Sequence, residues 1–301
     1  MKPSRTKIYP TWGDIVAIIG IYIAASFCFG WIVQLLGRFV VLPQGCVQMI
    51  VYVLTFVATI SYALWVRWLR TGCRGDREAI FTGWKLDLTW IFFGMIALFA
   101  ATILIEPVLA LFPDRWLELL DEHMRLGGWM MLTVIVAAPI LEEILFRGII
   151  QGSLVRKYGP WRGVLFASVV FGVVHGIPQQ VVNAFFVGMV LGFVYYCSRS
   201  LVVAMVIHAI NNGVSYFSWI VGGEQMNFTW EMIDDRRIYL ILYAVALIVL
   251  ALFYVAVIRR IRRDRVEQSI GKVTNVSSTE GIVDRNEENQ DTPEEMHNIK
   301  C

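Results

Sequence analysis

Charge is scarce in this chain. Asp, Glu, Lys and Arg make up 17% of its 301 residues and 57% are hydrophobic, whereas a soluble domain runs to roughly a quarter charged and about half apolar. Strict alternation of apolar and polar positions is also lacking, which excludes a transmembrane β-barrel. Paired cysteines are lacking: Cys28, Cys46, Cys73, Cys197 and Cys301 are scattered and form no CxxC, so neither a disulfide framework nor a zinc ribbon is expected. A prenylation signal needs its cysteine four from the end, and Cys301 is the final residue, so this chain is not expected to be prenylated itself. The first apolar block begins near Asp14 and runs to Leu36 with no small-residue cleavage site after it, so a cleavable signal peptide is not expected. HExxH is absent, which removes the usual zincin reading. No serine or cysteine stands beside a base as a nucleophile. There is no repeat of fixed period and no nucleotide-binding glycine pattern, and no nucleic-acid partner is expected.

Long apolar blocks are what the chain does have. They lie near residues 14–36, 44–66, 89–112, 129–150, 161–177, 181–197, 201–220 and 238–258. Roughly 20 helical residues cross about 30 Å of hydrocarbon, and in lipid a helix satisfies its own backbone hydrogen bonds. The expected fold is therefore all-α, a polytopic bundle of about eight membrane spans. The fifth and sixth are short and are divided by the Gly-Ile-Pro turn at 176–178. Short, interrupted spans often line a polar cavity.

The net charge of +2 says little about partners, but the distribution of charge sets an orientation. Lys2, Arg5 and Lys7 precede the first span, and Arg67, Arg70, Arg74 and Arg77 follow the second. Arg156, Lys157 and Arg162 lie between the fourth and fifth, and Arg199 lies between the sixth and seventh. Arg259, Arg260, Arg262, Arg263 and Arg265 follow the last. With eight spans every cluster falls on one side, so both termini are expected in the cytoplasm. The loop 113–128, on the other side, carries Asp114, Glu118, Asp121 and Glu122, with Trp116, Leu120 and Met124 as an interfacial face. From about Asp264 the chain turns to Glu, Asp, Asn, Ser and Thr. That tail is expected to be disordered, with the arginines before it against anionic head groups.

The informative residues are charges where charge is expensive. An ionised group at the bilayer centre costs on the order of 2.5–3.5 kcal/mol on insertion scales, yet the fourth span reads Ala-Ala-Pro-Ile-Leu-Glu-Glu-Ile-Leu-Phe-Arg-Gly and holds Glu142, Glu143 and Arg147. Adjacent helical residues point roughly 100° apart, so the two carboxylates cannot easily share a partner. Glu143 and Arg147 are four apart and can neutralise each other. Glu142 is left over for a different neighbour and is the reactive candidate. The alternative is that both glutamates are structural ion-pair partners. The fifth span ends with Phe171 and His175, four apart, and the seventh carries His208 and Asn212, also four apart. A lone membrane histidine is most often a helix–helix hydrogen-bond donor. His123 lies in a polar loop and is set aside. Together, a spare glutamate, two histidines and an asparagine on neighbouring spans should face the bundle interior. A carboxylate and an imidazole can hold and deprotonate a water. A second imidazole and a carboxamide can donate to an oxyanion. That set suffices for amide hydrolysis.

The order Glu-Glu-x-x-x-Arg, Phe-x-x-x-His, His-x-x-x-Asn on successive spans resembles the CAAX-protease and bacteriocin-processing family, also called the abortive-infection family. Its best-known members are the type II CAAX prenyl endopeptidases. The match covers about 132 to 218, and residues 81 to 84 (Phe-Thr-Gly-Trp) look like the family's lead-in to the third span. The resemblance implies an intramembrane protease of eight helices, and the apolar blocks and charge pattern divide the chain into a cytoplasmic N-terminus over 1–13, a transmembrane protease domain over 14–258 with a family core near 129–220, and a basic segment and tail over 259–301. It implies Glu142 as general base, His175 as a holder of the water, and His208 and Asn212 as the oxyanion hole. Glu143, Arg147 and Phe171 would support the site. The family has been described both as metalloendopeptidases and as metal-independent glutamate proteases. Glu142, His175 and His208 could supply a zinc site, while Asn212 beside His208 suits an oxyanion hole better.

The family also contains immunity or interaction proteins, and in such a protein Glu142, His175 and His208 need not converge. A proton-coupled transporter is a third class, since Glu and His also form proton relays. The second half of the chain does not mirror the first, as inverted-repeat transporters tend to do. No eukaryotic feature stands out. The expected setting is a prokaryotic inner membrane, and the expected substrate an unmodified peptide, a bacteriocin-like leader or a membrane-protein segment.

Overall fold

The computed structural model describes residues 9–71, 84–113, 121–122, 124–222, 233 and 235–288. The expectations for Lys2, Arg5, Lys7, Cys73, Arg74, Arg77, residues 81–83, Asp114, Trp116, Glu118, Leu120, His123 and residues 289–301 lie outside them. The described residues form eight long helices and no strand. These are α1 (Trp12–Leu36), α2 (Gln44–Thr71), α3 (Leu88–Leu109), α4 (Gly128–Tyr158), α5 (Pro160–Val173), α6 (Pro178–Ser198), α7 (Leu201–Gly222) and α8 (Arg236–Glu288). Seven are long and apolar enough to cross a membrane by length and composition, which fits an integral membrane protein, and α5 is the shorter apolar one. The chain divides into two compact units, Met1–Tyr254 and Val255–Cys301. Everything that bears on the site lies in the first. α8 is helical through Glu288, which takes in the start of the tail expected to be disordered.

Helix ends follow local chemistry. Thr11 caps α1: its hydroxyl accepts from the Asp14 N–H, and the Asp14 carboxylate accepts from the Thr11 N–H. This is a reciprocal capping box. The same Asp14 meets Arg70 at the end of α2 at 2.7 Å. Nearby, the Tyr9 hydroxyl donates to Ala63 O and Trp12 Nε1 to the Tyr158 hydroxyl. The start of α1 is thereby tied to the ends of α2 and α4. Gly159, at φ 82°, stops α4, and Pro160 opens α5.

α4 lies at the centre, in contact with α2, α5, α6 and α7. It is α-helical at both ends and in the middle, with π-helical stretches at Thr133–Ala137 and Ile144–Gln151. The core around it holds Leu145, Phe146, Ile149, Ile150 and Leu154 with Ala167 and Phe171 of α5, Phe56 of α2, and Ile15 and Ile18 of α1. Large apolar side chains such as Phe27, Trp31, Phe92 and Leu252 point outward. Lipid is as apolar as these side chains, so helix association rests on close packing and on polar bonds between helices. Small residues supply the packing. A Cβ on Gly192 of α6 would lie 2.7 Å from Val164 of α5 and 2.8 Å from the Gln151 amide of α4.

Candidate active site

Glu142 and Glu143 sit on the short α-helical turn between the two π stretches. Glu143 is fully buried and Arg147 is 2% exposed. Arg147 Nη1 donates to Glu143 Oε1 at 2.7 Å, as the spacing of four predicts. The guanidinium is stacked on the Phe171 ring, with Cζ 4.4 Å from its centroid, and Nη2 reaches Gly188 O on α6 at 3.4 Å. One turn on, Gln151 Nε2 donates to Gly192 O at 2.8 Å. Two polar side chains four apart on α4 thus meet two glycine carbonyls four apart on α6.

Glu143 Oε1 takes a second bond from His208 Nδ1 of α7 at 2.8 Å. A carboxylate only accepts, so this nitrogen carries the hydrogen. The other ring nitrogen, Nε2, lies 3.8 Å from Glu142 Oε2. That is too long for a direct hydrogen bond. Glu143 Oε2 has no partner within the protein among the described residues.

Glu142 turns to a different neighbour, as a position 100° round the helix should. Its Oε1 accepts from the Tyr52 hydroxyl of α2 at 2.7 Å. Sequence reasoning missed Tyr52. The available signal was a tyrosine within an apolar span, since a phenol in lipid seeks a hydrogen-bond partner.

His175 stands just past the end of α5. Its Nδ1 donates to Phe171 O at 2.7 Å, which leaves Nε2 as an acceptor in the neutral ring. The Phe171 ring is the common neighbour, with its centroid 4.9 Å from that of His175 and 6.0 Å from that of His208.

Asn212 follows His208 by one turn, and its Nδ2 donates to Val134 O at 3.0 Å. The first π stretch explains this bond. The Ala138 N–H goes to Thr133 O, five residues back. In that register Val134 O would be served by residue 139, which is Pro139 and has no N–H. The carboxamide of Asn212 serves it instead and keeps one N–H free. Asn211 Nδ2 lies 3.4 Å from Asn212 Oδ1.

Glu142, Glu143, Arg147, Phe171 and His208 are therefore one connected cluster, with His175 and Asn212 at its margins.

Residues 125–214 match the family model of type II CAAX prenyl endopeptidases of the Rce1-like kind.

That matched stretch is less than half of the chain, and it contains every candidate residue named from the sequence. Tyr52 lies outside it. A curated relative, the "Putative membrane peptidase YdiL" of Bacillus subtilis (strain 168), is 32% identical over 83 residues. The aligned part is 28% of this chain and 34% of that protein, so the chain spans about a third of the relative's length. No solved structure matches.

A zinc ion in this stretch would need Glu142, His175 and His208 drawn together. Among the described residues no three His, Cys, Asp or Glu side chains are grouped to hold a metal. Glu142 and His208 alone approach each other, one short of the three protein ligands usual in catalytic zinc sites. Glu142 Oε1 is already engaged by Tyr52. As they stand, these side chains form no zinc site, so the metalloendopeptidase expectation gains no support from them.

Proposed function

We propose that this chain is an intramembrane endopeptidase that hydrolyses a peptide bond with water activated by Glu142. The observation that carries the reading is the close approach of Glu142 Oε2 and His208 Nε2, 3.8 Å apart inside a bundle of membrane helices. The match of residues 125–214 to an endopeptidase family supports it, as does a relative whose name is that of a membrane peptidase.

In this reading Glu142 Oε2 takes a proton from the water as its oxygen attacks the scissile carbonyl carbon. His175 Nε2 accepts the water's other hydrogen and aims the oxygen. The carbonyl oxygen becomes an oxyanion. Doubly protonated His208 and the free N–H of Asn212 donate to it. Glu143, bonded to His208 Nδ1, offsets the imidazolium charge, and Arg147 holds Glu143. The proton on Glu142 then passes to the leaving nitrogen, the C–N bond breaks, and an acid and an amine result. The substrate is a peptide or a membrane-protein segment. The setting is a prokaryotic inner membrane, and both termini are cytoplasmic.

The test compares membranes carrying wild-type and Glu142→Gln protein by proteomics, and assays the reconstituted full chain on the peptides so found. Glu142→Gln keeps the shape and removes the base, so turnover should fall about 10²-fold or more. Chelators should leave the wild-type rate unchanged. Equal turnover by the two proteins overturns the reading.

A further inference from the structure

We infer that Tyr52 is a positioning residue of this site, so that the catalytic apparatus extends onto α2, outside the stretch matched by the family. The inference rests on the endopeptidase reading.

A glutamate has three rotatable side-chain bonds, and a carboxylate in a partly open site can present either oxygen to a substrate. Here Oε1 is engaged. The Tyr52 hydroxyl donates to it at 2.7 Å, and the oxygen near His208 Nε2 is Oε2. The phenol thus decides which oxygen acts as base and in what direction its lone pairs face. Glu143 cannot do this, because it lies on another side of α4 and its Oε1 already serves Arg147 and His208.

The phenol is itself held. Its ring lies 4.8 Å from that of Phe56, which lies 5.2 Å from that of Tyr22 on α1, edge-on. Phe56 is 2% exposed. Three aromatic rings on two helices thereby fix the direction from which the hydroxyl reaches α4. A tyrosine with a solely packing role needs no hydroxyl. Here the hydroxyl is at close range to Glu142, the carboxylate read as the base.

Tyr52→Phe keeps the ring stack and removes the hydrogen bond. In the reconstituted full chain, with a peptide that the wild type cleaves, it should lower kcat by about 10- to 100-fold, the scale of a misplaced reacting group. KM should stay within about twofold, as for a loss of catalytic positioning, and the variant should still melt cooperatively, at a somewhat lower temperature because a hydrogen bond to a carboxylate is lost. A second variant carries 3,5-difluorotyrosine at position 52, which keeps the hydroxyl and makes it a stronger donor. It should fold like the wild type and shift kcat several-fold at constant KM. Glu142→Gln runs beside both. If it is inactive while either Tyr52 variant folds and turns over at the wild-type rate, the assignment of Tyr52 is overturned and the base stands. If Glu142→Gln turns over at the wild-type rate, the reading of Glu142 as the base falls first.

Discussion

At the scale of the residue, the two adjacent glutamates have opposite fates. Glu143 is buried with two donors on one oxygen, while Glu142 takes one hydrogen bond from a neutral hydroxyl and stands 3.8 Å from His208 Nε2. Removing one partner of a buried pair leaves the other charge uncompensated, at a cost of about 3–5 kcal/mol. Glu143→Ala and Arg147→Ala should therefore lose folded yield in detergent, measured by monodisperse recovery. Glu142→Ala should be recovered like the wild type and be inactive. If Glu142→Ala folds worst of the three, this division is wrong. The ion pair was legible in the sequence because helix geometry alone sets positions four apart face to face. The partner of Glu142 was not, because Tyr52 is ninety residues away and no local rule links them. The bond of Asn212 to Val134 O was illegible for another reason. It depends on a π register in which Pro139 fails to serve that carbonyl, and the proline alone does not announce the register.

At the scale of the element, the apolar blocks foretold all eight helices, since length and composition decide what crosses lipid. Their ends were less legible. α4 runs on to Tyr158, where Gly159 can turn, and α5 ends at Val173, short of the expected 177. The two π stretches had no expectation behind them, and such turns recur at functional sites. Close approach of α4 and α5 gives a test. A Cβ on Gly163 would fall 2.5 Å from the Val155 N and Cα, so backbone must move. On Gly94 it would meet only the tips of Ile207 and Val194 at 2.6 and 2.9 Å, which can rotate away. Overpacking costs typically about 1–3 kcal/mol. Gly163→Ala should lower the unfolding temperature clearly and Gly94→Ala less, by thermal melts in detergent. The reverse order would mean that the α4–α5 contact yields more easily than described.

At the scale of the whole molecule, orientation rests on where the arginines and lysines fall. Reporter tags at Lys2 and Lys300 should both read cytoplasm, and one near Asp121 should read the opposite side. A tag at Lys300 on the far side would overturn the span count and the orientation together. Asp121 is itself engaged, with Arg125 at 2.6 Å and the Trp219 indole at 2.8 Å. Its carboxyl is held below the usual range, first by the hydrogen bond from Arg125.

The brevity of α5 bears on the lipid as well as on the protein. Fourteen residues rise about 21 Å, against about 30 Å of hydrocarbon in an ordinary bilayer. Leu165, Val169 and Val173 on its outer side are exposed, so acyl chains must meet a wall too short for them. Neighbouring lipids shorten or tilt to match such a wall, at fractions of a kcal/mol per Å. His175 stands just past that end of α5, and a bilayer thinned there would bring the water surface toward it. Membrane thickness then becomes a variable of the chemistry: the same chain in long-acyl lipid would work with a longer path between its site and bulk water.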